Sequence, residues 1–227
     1  MHRTGELYGH FETLDQQRES ASLGMWIFLI TEVMFFGGIF LAYTVNRHAN
    51  PVAFALGSNT LDLRLGAINT GVLLASSFTM AMAVWAGHTG KQKLITLFLI
   101  LTLVLGGIFM GIKTVEYAGK FEHHLVPGSS FHIPAEDVSA AAAKADPDFS
   151  AHAQLFFSLY FGMTGLHALH MVVGAGLLIW LILQSRKGRY TAKYNTPVEM
   201  VGLYWHFVDI VWIYLFPLLY LIDRRHK

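Results

Sequence analysis

Six ionisable residues stand inside long apolar stretches of this sequence, Glu32, Lys113, His167, His170, His206 and Asp209, with Glu116 and Glu199 at the margins of such stretches. In hydrocarbon each needs a partner or a water-filled cavity, because an ionised side chain there is costly to desolvate. Carboxylates and imidazoles hold and pass protons near neutral pH, and histidines inside a bundle can also ligate haem or a metal. Glu32 lies in LGMWIFLITEVMFFGGIFLAYTV, about nine residues from the start of its helix and so roughly 14 Å deep. It reads either as a neutral acid joining two helices or as a protonatable group beside a proton or gas path. Without a paired cation it is expected to be neutral at pH 7. GLHALHMVVG places His167 and His170 at i, i+3, on one helix face. His206 and Asp209 repeat that spacing, so the carboxylate can accept from an imidazole N–H and fix its tautomer. Haem ligation would take axial histidines from facing helices, and only His206 is a mate for the pair. Polar packing between helices and proton chemistry are the other readings. His88, His123, His124, His132 and His152 fall in connections, where solvation is the default.

The elements that must position these groups follow from composition and length. The 227 residues are 54% hydrophobic and only 14% charged, the balance of a membrane protein. A net charge of +1 gives no basic field for nucleic acid, and the lack of cysteine removes disulfides and thiolate metal sites. Five segments reach the roughly 20 apolar residues that a spanning helix needs: about 23–45, 65–86, 94–115, 155–183 and 200–222. The fold class is therefore all-α, a polytopic membrane bundle of five transmembrane helices (23–227) behind a polar N-terminal tail (1–22). That tail has no apolar signal-peptide core, so the first span is expected to direct insertion. Five spans place the termini on opposite sides. Lysines and arginines divide evenly between the sides, but the short, dense QSRKGRYTAK favours a cytoplasmic N-terminus and an external C-terminus. Arg186, Lys187 and Arg189 in that connection are candidates for lipid headgroups, against the plainer reading of topogenic charge. Pro217 should weaken the hydrogen-bond ladder late in the last span. The long connection between the third and fourth spans, with its insertion 122–150, carries Phe121, Phe131, Ile133 and Phe149 as apolar anchors for docking outside the chain, and AEDVSAAAAKA as a short helix.

Taken together, MWIFLITEVMFFGGIFLAY, NTGVLLASSFTMAMAV, VEYAG, GLHALHMVVG and VEMVGLYWHFVDIVWI resemble, in order, subunit III of the haem–copper respiratory oxidases. The resemblance runs from about Leu23 to the C-terminus. It implies an all-helical subunit of a cytochrome c or quinol oxidase, with no redox centre or cofactor of its own; the short chain without a transit peptide points to a bacterial cytoplasmic membrane. Haems and copper would lie in partners, chiefly catalytic subunit I, with other oxidase subunits and phospholipids alongside. It also implies that Glu32, Glu116, His167, His170, His206 and Asp209 line or brace a region supporting proton uptake and oxygen access. Many family members have seven spans, and this chain starts where their first helical pair would end. The connection after Glu116 looks like an insertion. Rival readings are an accessory subunit of a nitric oxide reductase, a haem-ligating membrane cytochrome, and a transporter built on Glu32 and Asp209.

Overall fold

The computed structural model describes residues 10–122, 125–128, 131, 146, 148–192 and 194–221. Its helices are α1 (Leu14–Ala49), α2 (Pro51–Asn59), α3 (Leu63–His88), α4 (Gln92–Glu122), α5 (Phe149–Arg186) and α6 (Thr196–Phe216), the last continued by a π-helical turn, Pro217–Leu221. Among the described residues there is no strand beyond a single bridge between Thr191 and Tyr194. Five of the helices are long and apolar enough to cross a membrane: α1, α3, α4, α5 and α6 with its π turn.

All five start ahead of the apolar segments read from sequence, because capping rather than hydropathy decides where a helix starts. The expected polar tail is helical from Leu14. Thr13 Oγ1 accepts from the Gln16 backbone N–H (3.1 Å), while the Gln16 amide oxygen accepts from Glu12 N–H (2.9 Å), so two otherwise orphaned donors are satisfied. At α3, Asp62 Oδ1 accepts from the N–H groups of Arg64 and Leu65. The connection between the first two spans contains α2. Its Pro51 sits in the first turn, where a missing N–H costs nothing, and the helix buries Ala53, Phe54, Gly57 and Ser58. Nine residues cannot span a bilayer, which is why apolar content alone did not mark it. The turn from α3 to α4 reverses the chain in three residues through Gly90 at φ 66°, with Lys91 N–H closing on Ala86 O.

The chain divides into two compact units, each drawing a segment from every spanning helix. The first comprises Met1–Val33, Val72–Ile108 and Leu169–Ile210. Its core is built around Trp205, 1% exposed, whose indole lies against Gly106 and Gly174 and donates to Ser76 Oγ (3.1 Å). Thr96 and Ser185 hydroxyls meet at 2.7 Å, and the Gln92 amide donates to Ser185 O, tying the start of α4 to the end of α5.

The second unit comprises Met34–Gly71, Phe109–Ala168 and Val211–Lys227. The Phe54 ring meets those of Tyr43 and Phe156 edge-on in its core, and the Phe156 ring fits because Gly57 has no Cβ, which would clash with it. Pro217 weakens the ladder as expected, and the π turn leaves carbonyls that neighbouring helices satisfy. Tyr43 OH donates to Leu218 O (3.1 Å), and Ser58 Oγ to Leu219 O (2.6 Å). Two of the four anchors assigned to external docking instead pack inside this unit. Phe149, 7% exposed, joins Ala53 and Ala153, and Phe131 covers that cluster. Phe121 is 60% exposed, and Ile133 and AEDVSAAAAKA lie outside the described residues. Phe149→Ala is accordingly expected to destabilise the protein by about 3 kcal/mol as a core truncation, read as a lowered thermal midpoint. A midpoint equal to wild type would return Phe149 to the role of an outward anchor.

Candidate functional site

In the first unit, α1 and α5 bring Glu32 and His170 together, with Glu32 Oε2 3.2 Å from His170 Nε2. The side chains are 20% and 15% exposed. The acid that stands alone in the sequence thus has a neighbour in the fold, the His170 imidazole at hydrogen-bonding distance. Tyr204 of α6 donates to the His170 carbonyl (3.0 Å), and its ring lies alongside the imidazole.

His206 and Asp209 do not form the expected intrahelical pair. His206 Nδ1 instead meets Ser77 Oγ of α3 at 2.7 Å. Asp209, 2% exposed, sits near Ser77 without either carboxyl oxygen closing a hydrogen bond among the described residues. The i, i+3 spacing put both on one face, but packing of α3 against that face supplied the nearer partner. Ser76, Thr79 and Thr102 continue a hydroxyl seam between α3 and α4, with Thr79 and Thr102 2.8 Å apart. Where α1, α3 and α6 meet one end of this unit, Arg18 Nη2 lies 3.3 Å and His88 Nε2 3.4 Å from Glu199 Oε1. Asn195 Nδ2 donates to His88 Nδ1 (3.1 Å), which leaves the proton of the neutral ring on Nε2, toward Glu199. Arg18 and His88 were missed in the sequence because one looked like tail and the other like a solvated connection.

The second unit holds a fully enclosed ionic cluster. Lys113 and Glu116, one turn apart on α4, are 6% and 8% exposed and meet at 2.8 Å. Lys113 Nζ also donates to Tyr220 OH (2.8 Å) and lies 4.4 Å from the centre of the Trp212 ring. Glu116 Oε1 accepts from Tyr160 OH (2.9 Å) and from Tyr220 OH. Every ammonium and carboxylate atom therefore has a partner, which is what a buried pair requires. Nearby, Tyr117 OH meets Thr164 Oγ1, and Lys120 Nζ donates to Thr60 O (2.7 Å). His167, 1% exposed, is flanked by Phe109 and Trp212, ring centres 5.5 and 5.3 Å away. The paired histidines of α5 thus serve different neighbours, His170 a carboxylate and His167 two aromatic faces. Tyr160 and Tyr220 were not singled out in the sequence. A tyrosine near a helix end reads as an interfacial belt residue unless its acceptor is known. Among the described residues, no three His, Asp or Glu side chains converge as a metal centre would need.

The cytochrome c oxidase subunit III family matches residues 1–135 and 139–223. Curated relatives include "Probable quinol oxidase subunit 3" of Staphylococcus aureus, 31% identical over 210 residues and 92% of either chain. The protein of the same name from Staphylococcus haemolyticus is 32% identical over 206 residues, 90% of either chain. Five apolar spanning helices, polar side chains clustered between them and a family match along nearly the whole length agree: the chain belongs to the cytochrome c oxidase subunit III family and is an accessory, multi-pass membrane subunit of a haem–copper terminal oxidase.

Proposed function

We propose that this chain is a non-redox subunit of a bacterial cytoplasmic membrane, packed against catalytic subunit I, which holds the haems and copper, and that it braces that subunit while keeping protonatable groups beside it. The observation that carries this reading is the Glu32–His170 pair. It is part-exposed on α1, a helix whose most apolar stretch is only 11% buried within the chain. A carboxylate–imidazole pair facing lipid would be expensive, and a second protein surface laid over it removes that cost. In this reading the polar Arg18–Glu199–His88 end faces the cytoplasm, where protons are taken up, and the dense basic connection after α5 supports that orientation.

The sequence contains no cysteine, so a single introduced thiol gives an unambiguous cross-link. Phe35, 49% exposed and one turn from Glu32, is the position of choice. Phe35→Cys in the assembled complex should cross-link to the haem-bearing subunit. Modification by lipid-borne reagents alone, with no cross-link in an intact complex, would contradict the docking face.

Lipid contributes at the other candidate surface. Arg186, Lys187 and Arg189 are all exposed at the end of α5, and each basic residue near anionic headgroups contributes on the order of 1 kcal/mol. Neutralising Arg186 and Arg189 should lower the anionic phospholipid that copurifies with the complex. An unchanged lipid content would leave these residues as topogenic charge only.

A further inference from the structure

Asp209 takes no part in the docking face proposed on α1. The residue is 2% exposed, and neither carboxyl oxygen has a hydrogen-bond partner among the described residues. A buried acid in that condition is costly unless it is neutral, or unless a proton or solvent can reach it. The surroundings provide a route. A groove of about 400 Å³ enters the first unit between α1, α3 and α6, lined among others by Arg18, Ser22, Ala81, Glu199, Leu203 and His206. Arg18 and Glu199 form its charged mouth, and Glu199 also meets His88. His206 lines the wall, seven residues further along α6 than Glu199, about 10 Å at 1.5 Å per residue. On its other side the His206 Nδ1 is bonded to Ser77 Oγ, and Ser77 is the polar neighbour of Asp209.

We propose that Asp209 is a proton-binding site inside the membrane, reached from the Arg18–Glu199 mouth by way of the groove, the His206 ring and the Ser77 hydroxyl. This rests on the assignment of that mouth to the proton-uptake side.

The step is a proton relay with no electron movement. With His206 in the Nδ1–H tautomer, a proton taken at Nε2 from the groove releases the Nδ1 proton to Ser77 Oγ. The Ser77 hydroxyl proton passes to the Asp209 carboxylate, and the reverse passage restores all three groups. Rotation of Ser77 about χ1 turns its hydroxyl from imidazole to carboxyl. The groups facing Asp209 leave it free to change state. From α3 comes the neutral Ser77, its own helix supplies His206, and Arg18, His88 and Glu199 gather at the mouth. Glu32 is engaged by His170. No route beyond Asp209 is part of the proposal, so it stores a proton in exchange with one surface.

Infrared difference spectroscopy of the assembled oxidase tests this, following the carboxylic C=O stretch as water is replaced by deuterium oxide. Asp209→Asn should delete one such band, and in wild type that band should shift promptly on exchange. Ser77→Ala keeps the acid and removes the relay, so the band should persist while its deuterium shift slows by roughly tenfold or more. His206→Phe should do the same. Should Asp209→Asn fail to assemble, the change in band frequency when Ser77→Ala removes its polar neighbour makes the assignment. Exchange at the wild-type rate in both Ser77→Ala and His206→Phe would overturn the proposal, as would a spectrum in which Asp209→Asn removes no band. Haem content is scored on the same samples. Unslowed exchange in a haem-containing complex counts against the relay alone, whereas wild-type preparations lacking the haem-bearing subunit count against the proposed function.

Discussion

Glu116→Leu should be among the most damaging single changes in this chain, lowering stability by about 3–5 kcal/mol. The substitution strands the Lys113 ammonium in a space where it is 6% exposed, and it removes the acceptor shared by Tyr160 and Tyr220. The Trp212 face 4.4 Å from Lys113 Nζ offsets only part of that loss, since a cation–π contact contributes about 2 kcal/mol even when desolvated. The distinguishing variant is the double change Lys113→Met, Glu116→Leu. With no charge left to bury, most of the lost stability should return, short of wild type by the two tyrosine hydroxyls left without their acceptor. Thermal midpoints of the purified complex at one scan rate are a suitable readout, because unfolding of such assemblies is rarely reversible. A double variant as unstable as Glu116→Leu would mean that the cluster acts through packing and not through charge compensation.

The second large effect centres on Trp205. Its indole occupies space that exists because two facing positions carry no side chain. A Cβ at Gly106 would stand 2.9 Å from the ring, and so would one at Gly174. Trp205→Ala opens a cavity and frees Ser76 from its indole donor, with an expected cost of about 3–5 kcal/mol. Gly174→Ala overpacks the same site and should cost about 1–3 kcal/mol. Gly71→Ala, where nothing lies within 4 Å, is the control and should be neutral or slightly stabilising. The two damaging changes touch one another, so Gly174→Ala combined with Trp205→Phe should be milder than the sum of its parts. If Gly174→Ala matched the Gly71→Ala control, the close approach of indole to backbone would not be a packing constraint.

These sites show why some of the architecture could be read from sequence and some could not. The five spans were legible because a bilayer demands a length of apolar helix that few other structures use. Lys113 and Glu116 were legible because charges in such helices are rare and their spacing places them one turn apart. The partners that complete each cluster were not. Glu32 and His170 are 138 positions apart, and Tyr220 lies 107 from Lys113. In a soluble helix the apolar stripe marks the face turned to the core. In this chain the lipid-facing side is as apolar as the packed side, as Met34 at 73% exposure and Phe36 at 2% illustrate. Periodicity therefore placed His206 and Asp209 on a common face without revealing that Ser77 would be the partner. The start of α1 was hidden for a different reason: its Thr13–Gln16 cap is a signal written in hydrogen bonds, not in hydropathy. The inward turn of Phe149 depended on α2, which is too short for its apolar residues to announce a helix.

Purification under mild detergent, through a tag on this chain alone, is the most direct test of the central claim that the protein is held in a haem–copper oxidase. The account predicts that the eluate carries a haem-bearing catalytic subunit in near one-to-one amount, a reduced-minus-oxidised haem spectrum, and oxygen consumption with a quinol or a reduced cytochrome c as donor. A chain that is folded and recovered from the membrane alone, with neither haem absorbance nor oxygen uptake under the gentlest extraction, would contradict it.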